Sequence, residues 1–135
     1  MIVIDASVAA SWLFEDERSG YAMRAFEMVR EGDAVVPAIF PLEVANAILI
    51  ARRRGRLSTE AAEAIAAAFE RLPITVKTES LSIRDELAIA EKHGLTVYDA
   101  QYLVVAREHR ARLFTLDQRL RSAAAAENLL GTEQA

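Results

Sequence analysis

Ile2-Val3-Ile4-Asp5-Ala6-Ser7 opens the chain with three consecutive β-branched apolar residues that end on a carboxylate. Branched side chains of this kind pack well on a pleated surface. A run with no polar alternation predicts a strand covered on both faces. Three later runs share this character: Ala34-Val35-Val36-Pro37, Ile74-Thr75-Val76 and Leu113-Phe114-Thr115.

Longer helical patterns separate these runs. Ser7 to Phe14 and Tyr21 to Arg30 read as helices, the second closed by Gly32. Pro41 suits the first turn of a helix that runs to about Arg54 and stops at Gly55. Ser58 caps a helix whose Ile65, Ala68, Phe69 and Leu72 recur at helical spacing before Pro73. Leu81 to His93, Val97 to Arg110 and Gln118 to Ala126 complete the set. Strands alternating with crossover-length helices predict an α/β fold of three layers, α/β/α, with a short, mainly parallel sheet covered by helices. Residues 1–130 read as one domain and 131–135 as a frayed tail.

Composition narrows the chemistry. There is no cysteine among the 135 residues, which excludes disulfides, thiolate metal sites and thiol nucleophiles. The N-terminus lacks the basic region of a signal peptide, and no apolar run approaches the ~20 residues of a membrane span. A cytoplasmic protein with no membrane contact is expected. Net charge is −4, unfavourable for binding phosphate backbones, yet arginines cluster at Arg52, Arg53, Arg54 and Arg56 and again from Arg107 to Arg121. His93 and His109 follow no ligand spacing and read as surface residues.

In parallel α/β sheets, ligands bind outside the carboxyl ends of the strands. Asp5 directly follows the first strand, and Asp117 follows the last by one residue. Glu43 and Asp99 lie in first helical turns that face the same edge. Each residue alone reads as a helix cap or a partner of the helix dipole. Together they are four carboxylates on one edge, with Ser7, Asn46 and Thr115 as small polar neighbours able to orient them. Clustered carboxylates repel unless a hard cation neutralises them, and an oxygen-only set suits Mg2+ or Mn2+.

The blocks Asp5-Ala6-Ser7, Pro41-Leu42-Glu43-Val44-Ala45-Asn46, Thr96-Val97-Tyr98-Asp99-Ala100 and Thr115-Leu116-Asp117, in this order, resemble those of PIN domains. The resemblance is nearest to VapC-type toxins of toxin–antitoxin pairs. It implies a metal-dependent endoribonuclease with Asp5, Glu43, Asp99 and Asp117 as the catalytic set, and Asp5, Asp99 and Asp117 as ligands of Mg2+ or Mn2+. It also implies an RNA substrate, a small VapB-type antitoxin and a homodimer. Val8, Trp12, Leu13 and Phe14 offer an apolar surface for the antitoxin, or else form part of the core. Arg53 or Arg54 would grip a flanking RNA phosphate, or else offset the helix dipole. The family's further C-terminal strand would fall on Asn128-Leu129-Leu130-Gly131, which is a poor strand sequence.

Other classes fit less well. A receiver-type module needs a second acidic residue beside the first, where this chain has Ala6. A haloacid-dehalogenase-like phosphatase needs an Asp where it has Ser7. A non-catalytic binding module remains the alternative reading.

Overall fold

The first strand, β1 (Ile2–Ile4), lies inside a parallel sheet of order β3-β2-β1-β4, with β2 at Ala34–Pro37, β3 at Ile74–Lys77 and β4 at Arg112–Phe114. The structure, a computed structural model, describes residues 1–78 and 81–134, so Ala135 of the expected tail lies outside it. The helices are α1 (Ala6–Ser11), α2 (Gly20–Arg30), α3 (Ile39–Arg53), α4 (Thr59–Glu70), α5 (Ile83–His93), α6 (Val97–His109) and α7 (Gln118–Ala126).

The chain steps outward from β1 to β3 and then returns across the sheet to place β4 on the free side of β1. Right-handed crossovers put the helices of the outward steps on one face and those of the return on the other. Contacts agree: α6 packs across β1, β2 and β4 with α5 and α7 beside it, whereas α2 packs on β1 and α3 joins α1 to α4. Ile2, Val3 and Ile4 are fully buried because β1 has a strand on each side and helices on both faces. The direction of the strand order reverses between β1 and β4. A crevice opens at such a switch point, at the carboxyl ends of the strands.

Helix α1 stops three residues earlier than its apolar pattern predicts. Ser11 Oγ donates to the Val8 carbonyl at 2.6 Å, a local bond that competes with helix continuation. Trp12 then turns inward, its indole N–H donating to the Ala22 carbonyl at 2.9 Å and its ring set between Phe26 and Phe69. Val8 and Trp12 are therefore core, the other of the two readings, while Leu13 and Phe14 stay half-buried. His93 departs from expectation too. Its side chain is 9% exposed and bonds the Glu127 carboxylate, so it joins α5 to the end of α7.

The poor strand near the C-terminus forms a single parallel bridge, Leu130 to Leu113. The Leu113 N–H donates to the Leu129 carbonyl at 2.7 Å, and the Gly131 N–H donates to the Leu113 carbonyl at 2.9 Å. Gly131, read from sequence as the start of the tail, is buried, and a Cβ built on it would lie 2.4 Å from Phe114 Cε2. Phe114 is fully buried and has no room to retreat. Gly131→Ala is expected to destabilise the protein by about 1–3 kcal/mol through overpacking, lowering Tm by roughly 5–10 °C. An unchanged thermal melt would mean that this segment does not pack on β4.

Candidate active site

Asp5 emerges from β1 at the switch point and is 5% exposed. Its Oδ1 accepts from Ser7 Oγ at 2.6 Å and from the Val8 N–H at 3.1 Å, so it caps α1. Its Oδ2 accepts from Thr115 Oγ1 at 2.5 Å. Thr115 Oγ1 in turn accepts from the Asp117 N–H at 3.1 Å, and Ser7 Oγ accepts from the Leu116 N–H at 2.9 Å. Ser7 and Thr115 thus tie the end of β4 to the end of β1. The Thr115 backbone is itself held: its N–H donates to the Tyr21 hydroxyl at 3.1 Å, and Arg121 Nη1 donates to its carbonyl at 3.0 Å.

Burial pushes the Asp5 carboxyl above its ordinary pKa; the bonds from Ser7, Thr115 and Val8 oppose this, and the Asp117 charge adds to it. Asp99, half-buried in the first turn of α6, is raised likewise by burial and then by the charge of Asp117. Asp117 sits exposed at the mouth and caps α7, accepting from the Leu120 N–H at 2.9 Å. Capping and clustering therefore hold together for Asp5 and Asp117. The cap of α6 is Thr96, whose Oγ1 accepts from the Asp99 N–H at 3.1 Å, which leaves the Asp99 carboxylate without a capping duty.

Glu43, half-buried on α3, enters the cluster through a residue the sequence reading passed over. Tyr102 is 1% exposed, and its hydroxyl donates to Glu43 Oε1 at 2.6 Å. Burial, this bond and the charges of Glu43 and Asp5 all push its ionisation upward, so the hydroxyl stays protonated. Its apolar neighbours Leu103, Val104 and Val105 make it read as core. The signal lay in the spacing, since Tyr102 stands one turn after Asp99 on the same helix face.

Asn46 is exposed on α3 and makes no hydrogen bond among the described residues. Arg53 and Arg54 are exposed at the far end of α3, about 15 Å of helix rise from Glu43. Among the described residues, none of the four carboxylates is ion-paired to Lys or Arg. Nor do any three His, Cys, Asp or Glu side chains there close on a point that would hold an ion as they stand. The donor set nevertheless matches a hard dication in chemistry and charge. It is all oxygen, and the charge of Asp117 bears on both Asp5 and Asp99.

Comparison with known proteins gives a consistent picture. The chain is 37% identical over 123 residues to Ribonuclease VapC3 of Pyrobaculum aerophilum, covering 88% of this chain and 91% of that protein. Among solved structures, PAE2754 from Pyrobaculum aerophilum superposes with a TM-score of 0.68 at 24% identity, covering 90% of this chain and 83% of that one. A toxin–antitoxin complex from Klebsiella pneumoniae gives 0.66 at 17% identity, with 98% of each chain covered. Mycobacterium tuberculosis VapC20, a sarcin–ricin loop cleaving toxin, gives 0.63 at 20% identity, covering 91% and 95%. These structures share the fold described above. The model of the PIN domain matches residues 2–126. By that match and by its identity to a full-length relative, the chain belongs to the PIN domain family.

Proposed function

We propose that this chain is a Mg2+- or Mn2+-dependent endoribonuclease, the toxin of a type II toxin–antitoxin pair. The observation that carries this reading is the buried and half-buried carboxylate cluster at the switch point, raised first by burial and then by the Asp117 charge, with no Lys or Arg ion-paired to it among the described residues. The likeness to a protein named a ribonuclease supports it. Asp5, Asp99 and Asp117 would hold the ion. Bound there, a dication lowers the pKa of a coordinated water and shields charge developing on the phosphate. Ser7 and Thr115 hold Asp5 in one rotamer, and Asp5 needs no reorganisation to act. Glu43 would orient the attacking water and take its proton as the water oxygen bonds to phosphorus, while the bond to the leaving ribose oxygen breaks and that oxygen takes a proton from solvent.

RNA cleavage by purified protein in Mn2+, abolished by EDTA and absent from Asp99→Asn, is the expected result; no cleavage of any RNA with metal present would sink the reading. In the cell, induced expression is expected to arrest growth, and Asp5→Ala or Asp99→Ala to relieve the arrest. Arrest persisting in folded variants would remove the catalytic assignment.

The antitoxin would be a small protein that brings a basic side chain to the carboxylates, against surface other than Val8 and Trp12. A homodimer and a cytoplasmic location accompany the toxin reading; no helix among the described residues is long and apolar enough to cross a membrane. Arg53 and Arg54 stand far enough from Glu43 to meet a phosphate several nucleotides from the cut. Arg53→Ala with Arg54→Ala is expected to weaken RNA binding and reduce its salt slope by about 1–2. An unchanged slope leaves these residues as partners of the helix dipole.

A further inference from the structure

We infer that Tyr102 is the positioning residue of the acidic site, its hydroxyl fixing the orientation of the Glu43 carboxylate. The inference rests on the nuclease reading and adds a residue to it. Tyr102 belongs to α6, which also carries Asp99 one turn earlier. Its hydroxyl donates to Glu43 Oε1 on α3 at 2.6 Å. One hydroxyl therefore joins α6, which presents Asp99, to α3, which presents Glu43.

Glu43 needs such a tether. It is half-exposed, on a helix whose first turn has no side-chain cap, and among the described residues Tyr102 is its hydrogen-bond partner. A glutamate side chain left free samples many rotamers. Tyr102 is itself fixed by burial, packed within a helix that crosses three strands. A rigid phenol donating to a mobile carboxylate fixes the carboxylate, at the distance of a short charge-assisted bond. The ring's packing does not require this, since phenylalanine would fill the same space.

Y102F deletes one oxygen and keeps that packing. The test compares wild type, Y102F, Glu43→Ala and the double variant, by cleavage of RNA in Mn2+ and by metal-free thermal melts. Y102F is expected to lower kcat roughly 10- to 100-fold, the usual cost of losing a partner that orients an active-site group, with KM close to wild type. The double variant is expected to be no slower than Glu43→Ala alone, and to lose less Tm than the two single losses summed. Cleavage by Y102F within about twofold of wild type, or losses that multiply in rate or add in Tm, would overturn the inference. If wild type cleaves no RNA, the nuclease reading falls. The metal-free melts then decide the tether alone: additive losses reject it, and non-additive losses uphold it.

Discussion

Asp5→Asn is expected to reduce RNA cleavage by about three orders of magnitude, the scale for losing a preorganised electrostatic group, while the metal-free protein melts no lower than wild type. The two halves of this expectation have separate causes. Asn has the shape of Asp, so its side-chain oxygen still accepts from Ser7 and Val8 and still caps α1. Its amide turns toward Thr115, whose hydroxyl oxygen then accepts where it had donated. The Thr115 hydroxyl proton then turns to Ser7 Oγ, 3.5 Å away, as its acceptor. The negative charge disappears, and with it the cost of burying a carboxylate beside Asp117. A group that only capped a helix would be replaced by Asn at little cost to any function. Loss of cleavage together with an intact melt assigns Asp5 to chemistry; loss of both would make it structural.

How much of this was legible in the residues follows from what each signal depends on. Ile2-Val3-Ile4 is local, and its reading as a doubly covered strand needs only side-chain shape. The switch point then follows from topology, and it locates Asp5 and Thr115–Asp117 before any coordinate is known. Trp12 stood open between core and partner surface, because the run Trp12-Leu13-Phe14 is apolar throughout and leaves periodicity nothing to orient. Its direction is set by the Ala22 carbonyl, ten residues away. The Leu130 bridge rests on a single pairing with Leu113 and on the bare Cα of Gly131 against Phe114, neither of which makes a strand pattern. The His93–Glu127 bond spans 34 residues with no motif to announce it. Tyr102 was hidden for another reason. A buried hydroxyl among Leu and Val looks like core until its partner, 59 residues earlier, is known.

The second large effect concerns metal and proton at the same site. Adding Mn2+ to the wild type at neutral pH is expected to raise Tm by roughly 5–10 °C, since ligand at 100-fold its Kd adds about 2.7 kcal/mol. Asp99→Asn is expected to remove most of that rise, and its metal-free Tm to equal or exceed that of wild type. Thr96 caps α6, so no capping bond is lost in this variant. Asp99 and Asp5 both have folded pKa values above their ordinary ones, chiefly through burial and then through Asp117. A raised carboxylate favours the fold fully below its unfolded pKa, and that contribution is lost as pH rises through the folded value. Metal-free protein is therefore expected to melt higher as pH falls from 7 toward the ordinary carboxylate range of about 4–5. The repulsion is worth about 1 kcal/mol per pair, the high-dielectric end, because Asp117 is exposed. Glu127 works against the trend, because its folded pKa is lowered by His93 and its contribution fades as pH falls through that value. Asp99→Asn separates the two, since it should reduce the rise on acidification to the Asp5 share and leave the Glu127 loss in place. Melts of wild type and Asp99→Asn at several pH values, each with and without Mn2+, check this. A Mn2+ shift that survives in Asp99→Asn would show that these carboxylates do not share an ion, and a wild-type melt that falls steadily from pH 7 would show that their charges are not penalised in the fold.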